Sequence, residues 1–570
     1  MNGNDTTVSA PVLSPRSPWK IWGEGLAIAI VALTLNLAGN GRVSLWDRDE
    51  PRYAGCAREM RASGDWLKPT FNDQPRYHKP ALIYWLMNAG MAVAGDNPFG
   101  ARLPSAIAGT ATCLFAWGLA RRMFGANAAR LSAAILITAP IQVVESKLAT
   151  TDATLAFCFV ACQFFLWELN KKASRWAAAG FWIALAFSSL TKGPVAPALL
   201  GVASLVSWWW GGPTACWKRL RPKWGVPLFL AIALPWFLAI GLATHGEFFR
   251  FAYLGKQGIG RLVKGIEQHW APPGYYLVTT IAIFYPWSFL LPAALRGAWS
   301  RRRERPEFGF LLGWVVGPWF VLECVQTKLF HYFLPAYPAC AILAAWMLET
   351  VASDVVVFKR WPLGRFGVGV LAGVGLIATA GFSAGAFMFP WVLKWPCLAF
   401  AFLAAGGTIY ALDRLQNGAP RRAAWALAAT WGLILLGFGG WLAPAAEPYR
   451  VSRKVARELI ALSEREHAPT VLATVCQPSI IYEFGRPVPI LRDRADLLAR
   501  LEKEPKLVTA LVPEEIAQLG KDKRVRIELL GEVRGFNHDK MRTDSVRLAI
   551  LRKGVEPSRV ASGAQKIDVK

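Results

Sequence analysis

Tyr77-His78-Lys79-Pro80, the apolar segment ALIYWLMNAGMAVAG at 81–95, and the break Gly95-Asp96-Asn97-Pro98 decide how this chain threads a bilayer. About fourteen apolar segments could span: approximately 24–40, 81–95, 103–120, 131–144, 153–168, 176–190, 194–210, 225–243, 275–295, 308–325, 332–348, 366–389, 391–411 and 424–443. Positive charge clusters between them. The groups are Arg121, Arg122 and Arg130; Lys171, Lys172 and Arg175; Lys218, Arg219, Arg221 and Lys223; Arg296, Arg301, Arg302, Arg303 and Arg305; Lys359 and Arg360; and Arg414, Arg421 and Arg422. If 81–95 crossed the bilayer, the first two groups would fall outside, against the preference of basic loops for the cytoplasm. With 81–95 lying along the surface as an interfacial helix, every group falls inside, as do Arg16 and Lys20 in the N-terminal tail 1–23. The expectation is a polytopic α-helical membrane protein of about thirteen spans over 24–443, N-terminus inside and C-terminus outside.

Composition agrees. The 570 residues are 54% hydrophobic, with 27 Trp and 32 Phe. The net charge of +26 sits in loops that orient helices and meet anionic lipid. No nucleic-acid motif accompanies it, so membrane lipid and not nucleic acid is the expected partner. The Cys residues form no C-x-x-C pair, which argues against a disulfide framework or a thiolate zinc site. The apolar stretch after the tail lacks a small-residue cleavage site and reads as an uncleaved first span.

This topology gathers chemistry on the outer face. The external loop 41–102 carries Trp46-Asp47-Arg48-Asp49-Glu50-Pro51-Arg52-Tyr53 and Arg76-Tyr77-His78-Lys79. Beside it lie Glu145-Ser146-Lys147 with Asp152, Thr191-Lys192-Gly193, Glu267-Gln268-His269, and Gln326-Thr327-Lys328 with His331. The loop is basic although it faces outward; an anionic ligand would account for that. From 444 to 556 the pattern changes to a small external α/β domain. Helical spacing occurs at Val451–Ser463, Ala495–Leu501 and Glu514–Leu519, and strands read at Thr470–Val475, Leu507–Val512, Val525–Leu530 and Val546–Leu551. It has no phosphate-binding Gly loop, so no nucleotide cofactor is expected, and 557–570 reads as a loose tail.

Each candidate has a plain structural alternative. Asp47-x-Asp49 has the letters of a nucleotide-sugar metal motif, but it faces away from the nucleotide pool. Asp49-Glu50 beside Arg52 and Tyr53 is either a carboxylate poised at the membrane surface or an ion-pair knot with Arg58 or Arg61. Lys79 suits a phosphate at headgroup depth or a snorkelling lysine, and Lys192 and Lys328 raise the same pair of readings. With Arg52 and Arg76 they make a cationic site. Asp152 could be a helix cap. His78 and His269 could hold a divalent metal, Zn or Mg, with Glu50 or Glu267. Tyr332 to Pro338, including Tyr337, would suit a groove for an apolar tail or kinked packing alone. Transporters tend to place polar residues at mid-span and to carry internal repeats. Here charge gathers on one face and no repeat is evident, which favours an enzyme over a lipid transporter.

Trp46…Asp49-Glu50-Pro51-Arg52-Tyr53-Ala54, Arg58-Glu59-Met60-x-x-Ser63-Gly64-Asp65-Trp66 and Tyr77-x-Lys79-Pro80 resemble the first external loop of integral-membrane glycosyltransferases that use polyprenyl-phosphate sugars. The nearest group is the lipid A aminoarabinose transferases, relatives of protein O-mannosyltransferases. Asp152, Leu190-Thr191-Lys192-Gly193, Gln268-His269-x-Ala271-Pro272, Pro286-Trp287 and Lys328-Leu329-x-x-Tyr332 extend the likeness over most of 40–345. The resemblance implies a GT-C fold of about thirteen helices with a periplasmic domain, in a bacterial inner membrane. It implies an undecaprenyl-phosphate aminoarabinose donor, a lipid A acceptor, and resistance to polymyxin. It places the required acid at Asp49 and the donor phosphate on Lys79, Arg52 and Tyr53; Asp152 is added to the catalytic candidates and Lys192 to those for the phosphate. Glu50, Arg76, Tyr77, Lys328, Tyr332 and Tyr337 would line the substrate and lipid groove. An aromatic-aromatic-acid run often precedes the family's lysine, and here Arg76-Tyr77-His78 stands in its place. A metal would therefore have to use His78.

Overall fold

A computed structural model describes residues 18–47, 49–255, 258–260, 269–353, 362–388, 390–537 and 542–554. The tail up to residue 17, Arg48, Glu267, Gln268, Lys359, Arg360 and the tail 557–570 lie outside these residues. Among the described residues nine helices are long and apolar enough to cross a membrane, or ten if the bent pair Ala126–Ile137 and Pro140–Lys147 is one span. The other expected spans fall on Arg175–Lys192, on Val195–Trp209, and on a broken element. That element runs Tyr275–Ile283, a 3-10 turn Trp287–Leu290, and Leu291–Arg301. Pro286 and Pro292, at its breaks, lack the N–H a continuous helix needs. Lipid-facing surface is plain on the later helices, where Leu242, Ile377 and Phe402 are 78%, 70% and 79% exposed. Such apolar exposure is what a helix bundle in hydrocarbon presents. The chain is a multi-pass helical membrane protein with a C-terminal α/β unit.

The segment at 81–95 forms the helix Leu82–Ala94 of 13 residues. At 1.5 Å per residue it is about 20 Å long, short of the ~30 Å hydrocarbon core. Its Ile83, Tyr84, Met87 and Met91 pack beneath the loop helix Asp49–Ser63 and against Pro98–Phe124. Asn88 donates to the Ala57 carbonyl at 2.7 Å, and the Trp85 indole to the Trp66 carbonyl at 3.0 Å. The helix is a support for the first loop.

The expected span 131–144 is not one straight helix. Ala126–Ile137 and Pro140–Lys147 meet at 59°. Pro140 cannot continue the first helix, and it starts the second from an extended Ala139. The bend carries Gln142, Glu145 and Ser146 into the protein, where all are buried, so Glu145 and Ser146 belong to a helix and not to an open loop.

The first loop is held by a buried ion pair. Arg102 Nε and Nη2 donate to the two carboxylate oxygens of Glu50 at 2.8 and 2.7 Å. The same carboxylate accepts from the backbone N–H of Trp46 (2.8 Å) and Ala149 (2.6 Å). Arg102 also donates to the carbonyls of Asn40, Val43 and Ser44 at 2.8, 2.8 and 3.0 Å. Both side chains are buried, and both are fully engaged: each guanidinium nitrogen of Arg102 donates and both Glu50 oxygens accept. That is the condition under which a buried pair holds a structure instead of weakening it.

The loop carries a small hairpin, β1 (Thr70–Phe71) and β2 (Gln74–Pro75). The C-terminal unit has an antiparallel sheet of β3 (Lys506–Leu511), β4 (Val525–Asn537) and β5 (Arg542–Lys553), ordered β3-β5-β4. Helices Val451–Glu466, Arg494–Lys503 and Pro513–Leu519 stand where the periodicity puts them. The expected strand Thr470–Val475 reduces to single bridges, Thr470 with Val508 and Leu472 with Ile490. Its N–H groups at Val471 and Leu472 bond to separate neighbours, Val508 and Pro489, so no continuous ladder forms. Pro478–Phe484 is an unexpected helix, and it meets the first loop. Asp47 accepts from the Ser479 N–H at 2.7 Å and from its hydroxyl. Arg58 donates to the Tyr482 carbonyl at 2.7 Å and lies 3.9 Å above that ring. Asn72 exchanges two bonds with the Val488 backbone, and Arg450 donates to Ser44 and Leu45.

Replacing Arg102 by Met should leave the Glu50 carboxylate buried with no cation, lowering stability by roughly 3–5 kcal/mol. Glu50→Gln in the same chain should return part of that loss. Denaturant or thermal unfolding of the detergent-solubilised protein measures both.

Candidate active site

Asp49 and Glu50 are neighbours with opposite fates. Glu50 turns inward to Arg102, and Asp49 stands exposed at the first turn of Asp49–Ser63, where a negative charge suits the helix dipole. Arg52, one turn on, approaches it at 3.9 Å. Glu50, expected in the groove, is therefore the anchor that fixes where Asp49 sits. Tyr53 is buried on the same helix, 6.0 Å from the Tyr84 ring, with the Arg76 guanidinium 5.7 Å above it. Burial opposes the charge of Arg76, yet Tyr84, Cys56, Tyr53 and Asp49 raise its pKa overall. Arg76 stays a cation behind the loop.

A second pair forms where two spans end. Asp152 begins Asp152–Lys171 and Lys192 ends Arg175–Lys192, so each charge complements its own helix dipole. Lys192 Nζ lies 2.6 Å from Asp152 Oδ1 and 5.0 Å from the Tyr332 ring centroid. The Asp152 carboxylate thus orients Lys192 and makes no cap bond to its own helix.

Beside this pair is a cavity of about 410 Å³. His78, Lys79, Lys192 and Tyr332 line its polar part, and Leu155, Val195, Leu199, Val321 and Leu322 are among its apolar walls. The walls come from Val195–Trp209 and Pro306–Cys324, which touch backbone to backbone below. A Cβ on Gly313 would stand 2.5 Å from the Ser207 nitrogen, and one on Gly317 2.5 Å from the Ala203 Cα. Small residues let membrane helices close this way, and the space lies beside the Val195 and Cys324 ends of the two helices.

His331 joins a further acid to the cluster. Its Nε2 is 3.9 Å from Asp152 and its Nδ1 3.8 Å from Glu145. Asp49 and Lys79 are within electrostatic reach of the same imidazole. Asp49, Lys79, Asp152 and Lys192, far apart in sequence, thus meet around His331. Sequence reasoning assigned no role to Glu145 or His331. The signal available was an apolar helix broken at Pro140 with an acid one turn beyond.

Other expected groove residues serve the frame. Tyr77 packs edge-on to Phe248 at 6.0 Å in an apolar cluster. Tyr337 is buried, stacked 5.0 Å from Phe284, with its hydroxyl 3.0 Å from that of Thr280. Lys328 is buried and donates to the carbonyls of Ala271 and Val325 at 3.1 and 3.0 Å, pinning the outer loop. The His78 ring lies 4.9 Å from Phe251, and His269 is exposed. Among the described residues no group of three or more His, Cys, Asp or Glu is placed to hold a metal ion; of the expected oxygen ligands, Glu50 is taken by Arg102 and Glu267 lies outside those residues.

A family model, dolichyl-phosphate-mannose-protein mannosyltransferase, matches residues 78–238. ArnT from Cupriavidus metallidurans bound to undecaprenyl phosphate shares the fold, with a TM-score of 0.71 over 93% of this chain and 98% of that one, at 22% identity. Arabinofuranosyltransferase AftD from Mycobacteria aligns at a TM-score of 0.51 over 94% of this chain and 40% of that one, at 13% identity. The undecaprenyl phosphate-alpha-4-amino-4-deoxy-L-arabinose arabinosyl transferase of Edwardsiella ictaluri is 33% identical over 318 residues, 54% of this chain and 56% of that protein. The chain thus spans little more than half of that relative. The protein of the same name from Pseudomonas aeruginosa strain UCBPP-PA14 is 31% identical over 429 residues, 73% of this chain and 74% of that one. At that identity and coverage, the chain belongs to the family of undecaprenyl phosphate-alpha-4-amino-4-deoxy-L-arabinose arabinosyl transferases.

Proposed function

We propose that the chain is a glycosyltransferase moving 4-amino-4-deoxy-L-arabinose from undecaprenyl phosphate to a phosphate of lipid A, on the periplasmic face of a bacterial inner membrane. The observation that carries this reading is the cavity, where Lys79 and Lys192 stand at one part of an otherwise apolar space. That combination suits a lipid whose head is a phosphate and whose tail is a long hydrocarbon. The names of the relatives supply the sugar.

In the reaction, the bond between the sugar C1 and the donor phosphate oxygen breaks, and C1 bonds to an oxygen of the acceptor phosphate. Undecaprenyl phosphate leaves with the electron pair. Lys79 and Lys192 hold the charge that grows on it, with Arg52 near the loop, which lowers the barrier electrostatically. Asp152 keeps Lys192 aimed. An acceptor phosphate is already anionic, so no proton need be removed. Asp49 then stabilises positive charge developing at C1 and positions the acceptor. The product carries an extra amine, which lowers the negative charge of the outer surface and weakens binding of polymyxin.

A second reading is transfer of another polyprenyl-phosphate sugar to a glycan or protein hydroxyl, favoured by the mannosyltransferase match over 78–238. Asp49 would then act as general base. Mass spectrometry of lipid A from cells with and without the protein separates the two. The expected result is an added aminoarabinose only when the protein is present, and unchanged lipid A would overturn the first reading.

Asp49→Asn should reduce transfer in a reconstituted assay by on the order of 100-fold or more, with the melting temperature unchanged. Lys79→Ala should weaken binding of undecaprenyl phosphate, measured by competition, by about tenfold or more. Equal binding would remove Lys79 from the phosphate site.

A further inference from the structure

Glu145 is an acid that this chemistry leaves unused. It lies past the bend at Pro140 and is 2% exposed. No hydrogen-bond donor among the described residues reaches its carboxylate. The nearest imidazole is that of His331, whose Nδ1 is 3.8 Å away, too far for a hydrogen bond. Glu50 is equally buried, yet it takes two bonds from Arg102 and two from backbone N–H groups. A buried carboxylate without donors is strongly unfavourable, and a cation brought to it would relieve that cost.

The surrounding charges narrow what that cation is. Lys192 is paired with Asp152 at 2.6 Å, and Arg52 faces Asp49 at 3.9 Å. Lys79 and Lys192 are the groups assigned to the donor phosphate. Asp152, Lys192, Glu50 and Asp49 all act electrostatically on Glu145, so it belongs to the same cluster. His331 separates Glu145 from Asp152, which keeps the phosphate-holding pair distinct from the free acid. A ligand that presents an anion to Lys79 and Lys192 and a primary ammonium to Glu145 meets both demands.

We infer that Glu145, with His331 beside it, is the subsite for the protonated 4-amino group of the donor sugar, and that it selects the amino sugar over its hydroxyl counterpart. The ammonium donates to the Glu145 carboxylate and supplies the missing partner. This rests on the aminoarabinose reading above.

The test compares three lipids on the full-length protein in nanodiscs: undecaprenyl phosphate, the same phosphate carrying 4-amino-4-deoxyarabinose, and the same carrying arabinose with a 4-hydroxyl. Wild type should bind the amino donor about tenfold or more tighter than the hydroxyl donor. Glu145→Gln, isosteric and neutral, should erase that preference and cut kcat/KM for the amino donor on the order of 100-fold, with unchanged affinity for undecaprenyl phosphate. Glu145→Asp should restore part of the preference. Equal wild-type binding of the two sugars overturns the inference whether or not the variants fold, as does a preference that survives Glu145→Gln. Failure of wild type to bind any of the three lipids would instead overturn the proposed function.

Discussion

The Glu50–Arg102 pair is the constraint on which the site depends. It joins residues 52 positions apart and gathers backbone from Asn40 to Trp46 and at Ala149 around two charges. Taking two ions out of water is costly, and an imperfect pair would weaken the protein. Here the remaining lone pairs and N–H groups are occupied by peptide groups, so the loop has one low-energy arrangement. Asp49 is adjacent to that fixed point and inherits its precision, while its own carboxylate stays open to the outside.

The rest of the centre divides its labour by surroundings. Lys192 and Asp152 sit at the ends of two spans and neutralise each other, which lets an ammonium persist in a partly buried place. The cavity takes its greasy walls from helices whose backbones meet at Gly313 and Gly317. Charge is concentrated at the cavity's polar part and hydrocarbon is accommodated elsewhere. Glu50 and Glu145 are chemically alike and equally buried, and the donors around them distinguish the first, held by four hydrogen bonds, from the second, which meets only the His331 imidazole at 3.8 Å.

Much of this was legible in the residues, for reasons that differ by scale. Long apolar runs and basic loops report the bilayer directly, so the helical architecture and a helix at 82–94 too short to span were readable from composition and charge. The break at Pro140 was written in the sequence, but a proline does not say how far a span will turn. The inward turn of Glu145 therefore needed coordinates. The loop acids were readable as a pair, yet two adjacent carboxylates at the start of a helix look alike in one dimension. Which of them meets Arg102 is decided by packing across Pro98–Phe124. Lys328 and Tyr337 carry the right chemistry for a groove, and neighbouring carbonyls and rings claimed them first. In the C-terminal unit, the pattern at Thr470–Val475 reads as a strand, but a strand needs partners, and here these are present at single points only before the chain bends at Ala473 and Thr474.

The contacts between the first loop and Pro478–Phe484 carry a consequence for how the protein is made. Asp47 meets a residue 432 positions later, Arg58 one 424 later and Asn72 one 416 later. Loop closure over such separations comes late in folding. The front of the site is therefore among the first parts to leave the ribosome and among the last to become ordered. A chain truncated before its final hundred or so residues would carry every charged group of the cavity and still lack the surface that braces Asp47, two positions from Asp49. Ordering of the front of the site would then wait on the C-terminal unit.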